Sequence, residues 1–378
     1  MFFFVICSLL GYASIGSSLS LASPVQKSTA INALSPQRDQ PPNLRKPKIS
    51  LIGGGNIGGT LALLCMQRQL GDIVIFDILD GFAQGKALDL MQASTIDNID
   101  TSVIGTTEYQ DIEGSDIVIV TAGSPRRPGM TRDDLLCINA KVMHDVGEAI
   151  KKYCPKAFVI CVTNPLDAMV SLLQSISGLP DHRIVGMAGV LDSARFKYFL
   201  SDHFKTSVRN VDAIVLGGHG DTMVPLTGLS RVCGLSLDEH IKRGSLTKQD
   251  LDLLIKRTRL GGGEIVNLLK VGSAFYTPAA SAVLMAEAVL FDKHLLVSAA
   301  CKVSKIYGVS KPLFLGVPVI LSRRGVEKIV EVPLATNEME NLRMSIKAVE
   351  DQLLDLDRLN LCPINSNLPD DDMARLGG

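Results

Sequence analysis

Several polar side chains that can exchange protons or bind anions lie directly after apolar segments of the sequence. His219 stands between glycines after one such segment, and Asn164 follows another. Asp192 and Arg195 are three residues apart, which places them on one face of a helix. An imidazole titrates near neutral pH, and a guanidinium binds a carboxylate through two parallel hydrogen bonds. A single histidine is more often structural than catalytic, so the prediction of a site rests on the whole set.

A loop rich in arginine and proline follows the predicted strand Asp116–Thr121. Between Ser124 and Arg132 it holds two prolines, one glycine and three arginines, of which Arg126 and Arg127 are neighbours. Arginines on a loop are usually solvated, but this combination predicts a lid that closes over an anion.

A glycine-rich turn near the start of the pattern predicts a dinucleotide site. Gly53, Gly55 and Gly58 form a Gly-x-Gly-x-x-Gly motif, with Asn56 and Ile57 inside it, between a predicted strand and a predicted helix. Such glycines allow a tight turn and let the backbone approach a pyrophosphate at the helix N-terminus. The alternative is a purely structural glycine turn.

An acidic residue follows this motif at the spacing that the dinucleotide interpretation requires. Asp77 ends the next predicted strand, 19 residues after Gly58. A carboxylate there accepts hydrogen bonds from the hydroxyl groups of the adenosine ribose and repels a 2′-phosphate. The sequence therefore favours NAD over NADP.

The elements that must position these residues alternate between strand and helix up to about Val190. This alternation predicts a parallel sheet covered by helices on both faces, and with the glycine motif it predicts a Rossmann-type doubly wound α/β sheet. The predicted strands are Lys48–Ile52, Asp72–Phe76, Ser102–Gly105, Asp116–Thr121, Ala157–Thr163 and Arg183–Met187, and the helices include Ile57–Leu70, Asp134–Tyr153 and Asp167–Ile176.

The pattern changes beyond Val190 to longer helices and a few antiparallel strands, which predicts an α+β substrate or catalytic domain. The predicted strands there are Asp212–Leu216, Leu313–Ile320 and Gly325–Val332. The last helix is predicted to begin with a capping box of Asn337 and Glu340, and to bury a stripe of apolar residues. The stripe consists of Leu342, Ile346, Val349 and Leu353.

The composition of the chain limits the kinds of partner that it can bind and the domains that it can form. Its 378 residues carry 38 Lys+Arg and 39 Asp+Glu, a formal net charge of −1 that offers no electrostatic footprint for nucleic acid or an anionic membrane. Eight cysteines without a Cys-x-x-Cys pair indicate neither a disulfide framework nor a structural metal site. We predict a dinucleotide-binding domain over 47–190, a catalytic domain over 191–358 and a polar tail over 359–378.

Residues 1–46 predict a targeting segment or a disordered extension. The apolar run Phe2–Tyr12 is too short to span a bilayer and precedes a Ser- and Ala-rich stretch that ends at about Ser23, and residues 1–46 contain four basic residues and one acidic residue. This composition favours organellar import, with the mitochondrion ahead of a plastid or the secretory route. A disordered extension or a misassigned start codon is the alternative, and a cytoplasmic protein then remains possible.

The motifs, in this order, resemble the lactate/malate dehydrogenase family. The resemblance runs from about residue 48 to 356 and includes Gly-Gly-Gly-Asn-Ile-Gly, Arg-Arg-Pro-Gly-Met-Thr-Arg, Val-Thr-Asn-Pro-Leu-Asp, Leu-Asp-Ser-Ala-Arg-Phe and Gly-Gly-His-Gly-Asp. It implies an NAD-dependent oxidoreductase that acts on a small 2-hydroxy acid. A catalytically dead NAD-binding scaffold is an alternative from a different class.

The resemblance also implies a role for each polar residue. His219 would be the general acid/base, Asp192 would accept the other ring N–H, and Arg195 would hold the 1-carboxylate of the substrate. Arg132, on the lid, would polarise the substrate carbonyl, and Asn164 would bind substrate.

The nicotinamide side of the cofactor would be lined by Asn139 and by the backbone of Val162–Asn164. The family forms dimers and tetramers, so the resemblance implies a homotetramer or a homodimer with a small-molecule substrate and no membrane partner.

Substrate choice within the family depends on Arg126, six residues before Arg132. In the family, a second arginine at this place accompanies dicarboxylates, whereas lactate enzymes usually carry an uncharged residue. Oxaloacetate has one more carboxylate than pyruvate, and a closed, dry site needs a cation to match it. The expected reaction is the interconversion of malate and oxaloacetate, with lactate or another 2-hydroxy acid as the alternative. The neighbouring Arg127 is the other candidate for this role.

Overall fold

The computed structural model describes residues 45–125 and 131–361, except for the side chains of Arg132 and of residues 359–361. In chain order the strands are β1 (Lys48–Ile52), β2 (Asp72–Phe76), β3 (Val103–Thr106), β4 (Ile117–Val120), β5 (Phe158–Cys161), β6 (Ile184–Gly186), β7 (Val211–Asp212), β8 (Val215–Leu216), β9 (Val224–Pro225), β10 (Arg231–Val232), β11 (Leu235–Ser236), β12 (Leu295–Val303), β13 (Leu313–Ser322) and β14 (Gly325–Ile329). The α-helices are α1 (Asn56–Gln67), α2 (Phe82–Asp97), α3 (Arg132–Tyr153), α4 (Leu166–Ser177), α5 (Gly189–His203), α6 (Leu237–Lys242), α7 (Lys248–Leu269), α8 (Tyr276–Leu290) and α9 (Thr336–Leu361). None of the helices in the described ranges has the length and apolar character that crossing a membrane requires.

Nine strands form one large sheet in the order β14-β13-β12-β6-β5-β4-β1-β2-β3. The six strands from β3 to β6 are parallel and follow the Rossmann order, which confirms the predicted fold class. The strand order reverses between β1 and β4, and ligands of such sheets bind at the carboxyl ends of the strands at this point.

Helices cover both faces of the parallel strands. In β4, Ile117 and Ile119 pack into one core with α1, α2 and α8, whereas Val118 and Val120 pack into a second core with α3 and α4. Successive side chains of a strand point to opposite faces, so an uninterrupted apolar strand is what a sheet buried on both sides requires.

A third apolar core joins α5, α6 and α7 with strands of the two small sheets. Phe196 and Leu200 of α5 pack there with Leu251 of α7. This core fixes α5 against α7, and both helices contribute to the site described below.

The second half of the chain differs from the prediction in three places. The predicted strand Asp212–Leu216 is interrupted: β7 pairs with β10, β8 pairs with β9, and the Val215 N–H donates to the Ser193 hydroxyl of α5. Strand β12 was not predicted, although it pairs with β13 along its whole length. Its Ser-Ala-Ala-Cys-Lys centre lacks an alternating apolar pattern.

The third difference is the start of the last helix, because the capping box of Asn337 and Glu340 was wrong. Helix α9 begins at Thr336, and the Ala335 N–H donates to Glu338 Oε2 at 3.0 Å. The other oxygen of Glu338 accepts from the Gly228 N–H at 3.1 Å, so a tertiary contact fixes the helix start. The predicted stripe is confirmed, with Leu342, Ile346 and Val349 buried and Leu353 packed against the core.

The large sheet continues through the predicted boundary at residue 190. Strand β12 pairs with β6 in antiparallel orientation at Ala300 and Gly186, so the later strands extend the sheet of the first half. The two predicted domains, 47–190 and 191–358, therefore share one sheet, and the boundary between them stays a proposal.

Candidate active site

The loops that follow β1, β4 and β5 meet at the reversal of the strand order. The N–H groups of Thr121 and Ala122 both donate to the Ile52 carbonyl at 2.8 Å, and the Thr121 hydroxyl donates to the Gly53 carbonyl at 3.1 Å. These bonds hold the glycine-rich turn against the end of β4.

The glycine-rich turn leaves open space above the first turn of α1. A Cβ atom on Gly58 would overlap the Gly53 carbonyl oxygen, so only glycine permits this close approach of turn and helix. A Cβ atom on Gly55, in contrast, would meet no atom within 4 Å. Gly55 is the N-cap of α1 and provides no side-chain cap, which leaves the helix N-terminus accessible to an anion. This cradle fits a pyrophosphate.

Asp77 lies at the rim of the same turn. Its carboxylate accepts from the Gly54 N–H at 2.7 Å and from the Leu79 N–H at 3.1 Å. Each carboxylate oxygen has a further lone pair, so the group can still accept hydrogen bonds from ribose hydroxyls. The exposed Asn56 and half-buried Ile57 begin α1 beside this rim, and together these residues fit the dinucleotide that the sequence predicted.

Sequence reasoning missed Lys86, which borders the turn from α2. Its Nζ donates to the Gly55 carbonyl at 3.1 Å. Burial lowers the pKa of Lys86, and attraction to Asp77 partly offsets this effect. The Gly-Lys-Ala segment of α2 has no pattern that distinguishes it from an ordinary surface helix.

Asn139 is fully buried and joins the ends of two strands. Its amide accepts from the Ser124 N–H at 2.7 Å and donates to the Asn164 carbonyl at 2.6 Å. Val162 is also buried, and its N–H donates to the Val120 carbonyl of β4. These are the contacts of residues that position the loops, whereas the exposed Asn164 can reach a ligand. Direct contact of Asn139 or Val162 with the cofactor remains a prediction.

His219, Asp192 and Arg195 come together in the structure. His219 Nδ1 lies 2.9 Å from Asp192 Oδ2, and Arg195 Nη1 lies 3.4 Å from Asp192 Oδ1. The Asp192 side chain is 3% exposed, compared with 17% for His219 and 13% for Arg195. Because an ionised carboxylate only accepts hydrogen bonds, Nδ1 carries the proton and Nε2 is the ring nitrogen available to a substrate.

The surroundings of His219 favour its protonated form. Burial of the imidazole lowers the pKa of His219, but the charge and hydrogen bond of Asp192, together with the charge of Asp167, more than offset this effect. The pKa of His219 is therefore raised above 6.5. Burial lowers the pKa of Arg195, which nevertheless stays charged beside Asp192.

Two consecutive glycines of α7 form the surface on which Arg195 lies. A Cβ atom on Gly261 would be 3.2 Å from Arg195 Cδ, and one on Gly262 would be 3.5 Å from Arg195 Nη2. Helix α7 thus approaches the side chain of Arg195 closely.

A second carboxylate, Asp167, lies behind His219 and was not predicted. Its Oδ2 accepts from the backbone N–H of His219 at 2.8 Å. It ends the Val-Thr-Asn-Pro-Leu-Asp motif, but an acidic residue in the first turn of a helix is ordinary, so nothing in the sequence marked Asp167 as a partner of His219.

The lid arginines lie at the edge of the described chain. Arg126 and Arg127 are outside the described residues. Arg132 begins α3, and the reciprocal bonds of Thr131 and Asp134 cap that helix at 3.0 Å each.

Comparison with known proteins places the chain among dehydrogenases. Residues 47–186 match the family model of the lactate/malate dehydrogenase NAD binding domain, and residues 189–356 match that of the lactate/malate dehydrogenase alpha/beta C-terminal domain. A malate dehydrogenase of Francisella tularensis subsp. novicida is 57% identical over 309 residues, which cover 82% of this chain and 97% of that protein.

Solved structures of two related enzymes are equally similar. The malate dehydrogenase of Cryptosporidium parvum has a TM-score of 0.81 at 46% identity and covers 83% of this chain and all of its own. The lactate dehydrogenase of the same organism, solved with lactic acid and NAD, has a TM-score of 0.81 at 45% identity, over 85% of this chain and 100% of its own.

The Rossmann-type sheet and the match to an NAD binding domain define an NAD-dependent oxidoreductase. Two consecutive family models account for most of its length. The chain belongs to the lactate/malate dehydrogenase family. Residues 1–46 and 357–378 lie outside both matches.

Proposed function

We propose that this protein is an NAD-dependent malate dehydrogenase that interconverts malate and oxaloacetate. The observation that carries the proposal is the buried pair of His219 and Asp192, 2.9 Å apart, with Arg195 on the same carboxylate. The 57% identity to a bacterial malate dehydrogenase favours this member of the family.

His219 acts as the general acid/base. In malate oxidation, Nε2 takes the proton of the substrate hydroxyl while Nδ1–H stays on Asp192, so that the imidazolium forms beside a carboxylate. In oxaloacetate reduction the same nitrogen returns the proton to the carbonyl oxygen. A pKa raised above 6.5 lets His219 serve both directions near neutral pH.

Arg195 holds the 1-carboxylate of the substrate beside His219. Its guanidinium is held by Asp192 and lies against the glycines of α7, so its remaining N–H groups are directed before the substrate arrives. Arg132 polarises the carbonyl from the lid, and Asn164 adds a hydrogen bond to the substrate.

NAD supplies the acceptor for the hydride when it is bound. The Gly53–Gly58 turn and the N-terminus of α1 would hold its pyrophosphate, and Asp77 would hold the adenosine ribose. Asn139 and the Val162–Asn164 backbone line the nicotinamide side by shaping the loops that surround it.

Steady-state rates with oxaloacetate and with pyruvate test the proposal. The purified protein should oxidise NADH far faster with oxaloacetate. A preference for pyruvate would instead support the lactate dehydrogenase alternative. This alternative is considered because the lactate dehydrogenase structure of Cryptosporidium parvum is similar to the chain. No turnover with either acid would support a scaffold.

Arg126 is the residue we propose to recognise the distal carboxylate. Leaving a buried charge unpaired costs about 3–5 kcal/mol, and about 1.36 kcal/mol is tenfold in rate. Arg126→Gln should therefore lower kcat/KM for oxaloacetate by about two to three and a half decades. Arg127→Gln is the matched control. If Arg126→Gln changes the ratio of kcat/KM for oxaloacetate to kcat/KM for pyruvate by less than about tenfold, the assignment of Arg126 loses its support. If Arg127→Gln has the large effect instead, Arg127 is the residue that binds the distal carboxylate.

The assembly and location of the protein are also proposals. By family membership we infer a homodimer or homotetramer, which a monomer mass in light scattering would contradict. From its composition we infer that the segment 1–46 directs import into an organelle, the mitochondrion first. A fluorescent fusion of this segment that stays in the cytoplasm would count against import.

A further inference from the structure

Asp167 is a buried carboxylate at the start of α4 for which the mechanism above has no use. It is 1% exposed. Its Oδ2 accepts the His219 N–H at 2.8 Å, and a Cβ atom on Gly218 would lie 3.1 Å from the same oxygen. Its Oδ1 is buried and has no hydrogen-bond partner within the described part of the chain. Burying half of a carboxylate without a partner is costly, which calls for a compensating role.

The same peptide segment is held by a neutral group from another helix. Ser345 of α9 accepts from the Gly218 N–H at 2.9 Å and lies 3.2 Å from the Thr222 hydroxyl. Two adjacent N–H groups of one loop therefore have different acceptors, a hydroxyl at Gly218 and a carboxylate at His219. A backbone anchor alone needs no charge, because the hydroxyl performs that function one residue earlier.

The charges around His219 show what the carboxylate adds. Asp192 and Arg195 face the imidazole from α5, and the carboxylate that contacts the ring raises the pKa of His219 more than the charge of Arg195 lowers it. Among the described residues, Asp167 is the remaining charge that acts on His219, and it leaves the surroundings of the ring with a net negative charge.

An uncharged thiol lies beside Asp167. Cys161 of β5 lies near it, and burial raises the pKa of this thiol to about 12, so Cys161 stays uncharged. Burial also raises the pKa of Asp167 itself to about 6, against the opposing effects of the His219 N–H and the His219 charge. Above that pH the carboxylate is ionised while the reaction runs.

We propose that Asp167 is a positioning residue for His219, which fixes its backbone and places a second buried carboxylate behind the imidazole to stabilise the imidazolium. This inference rests on the proposed acid/base function of His219. It predicts that removing the charge lowers the proton affinity of the imidazole, and that removing only a backbone anchor does not.

The test compares Asp167→Asn with Ser345→Ala by titrating the ring of His219 directly. NMR of histidine-labelled protein follows the six histidines with pH, and the signal missing in His219→Asn identifies the one concerned. Asp167→Asn should lower the proton affinity of His219 about threefold or more. The pH at which kcat/KM for malate oxidation rises should be lower in this variant, by the same factor in proton concentration. Ser345→Ala should leave the titration of His219 in place.

An unchanged titration of His219 in Asp167→Asn would overturn the inference. So would an equal change in Ser345→Ala, because the loop geometry alone would then explain it. If Asp167→Asn does not fold, Asp167→Ser removes the same charge and leaves room for a water molecule. Because the titration needs no turnover, an enzyme without malate activity whose His219 still responds to Asp167→Asn would refute the proposed function and not the coupling.

Discussion

The three consecutive glycines of α7, Gly261–Gly263, allow a graded test of how Arg195 is positioned. Each glycine inside a helix costs about 1 kcal/mol relative to alanine. Arg195 explains the first, because a Cβ on Gly261 would lie only 3.2 Å from its Cδ, whereas a Cβ on Gly262 would be in ordinary contact with its Nη2 at 3.5 Å. A Cβ on Gly263 would meet no atom within 4 Å, so this third glycine is the matched control.

Gly261→Ala should weaken catalysis by moving Arg195. The new methyl group forces the side chain to shift by a few tenths of an ångström, which approaches the tolerance of about 0.5 Å for a productive site. Since a misplacement of about 1 Å costs about 100-fold, we expect kcat/KM for oxaloacetate to fall about tenfold. Most of the loss should be in KM, because Arg195 binds the 1-carboxylate in both the ground state and the transition state.

Gly263→Ala should leave kcat/KM unchanged and stabilise the protein. The gain in helix propensity is about 1 kcal/mol, which raises Tm by about 2 °C in a chain of this size. Gly261→Ala should gain less, because the contact with Arg195 opposes the propensity.

The assay combines steady-state kinetics with thermal unfolding and NADH binding. Both variants should bind NADH like the wild type, since α7 does not contribute to the cradle at Gly55. Equal losses of kcat/KM in the two variants would show that helix geometry, and not the Arg195 contact, limits the rate. An unchanged kcat/KM in Gly261→Ala would refute the argument that the glycines serve Arg195.

Three further outcomes follow from the site. His219→Asn should retain NADH binding and lose turnover, and a variant with more than about a tenth of wild-type kcat would remove His219 from the acid/base role. Asp77→Ser should raise kcat/KM with NADPH relative to NADH, because the carboxylate that repels a 2′-phosphate is gone; an unchanged cofactor ratio would contradict its contact with the ribose. Because the pKa of His219 is raised, kcat/KM for oxaloacetate reduction should fall as the pH increases, with a midpoint above pH 6.5. The kcat/KM for malate oxidation should rise over the same pH range. A midpoint below pH 6.5 in the free enzyme would be inconsistent with the Asp192 contact.

The strands that could be predicted from the sequence are those with a short apolar segment bounded by turns. Strands β1 and β2 begin and end at the predicted residues, since a short, mainly apolar segment leaves little choice for a strand inside a sheet. Strand β12 escaped prediction because its position depends on pairing with β13 and β6 rather than on its own pattern. For the same reason, the continuity of the sheet across residue 190 could not be anticipated.

The candidate site divides in a similar way. His219, Asp192 and Arg195 stand in recognisable segments, and the structure brings them together as predicted. Asp167 and Lys86 depend on helices that approach a loop from elsewhere in the chain, and nothing in their own segments marks them. The place of Asn139 beside the nicotinamide stays a prediction, and the bonds that occupy its amide arise only when Ser124 and Asn164 come together.

The fold itself does not select the substrate, because a malate and a lactate dehydrogenase match it equally well. Selection must come from a few side chains that face the variable end of the substrate. In the proposed closed site, Arg126 stabilises oxaloacetate through a matched charge, and it disfavours pyruvate because its own charge would then be desolvated beside a methyl group. On this proposal, one arginine acts on both substrates in opposite directions. Arg126→Gln should accordingly raise the rate with pyruvate while it lowers the rate with oxaloacetate, which a substitution that only enlarges the pocket cannot do.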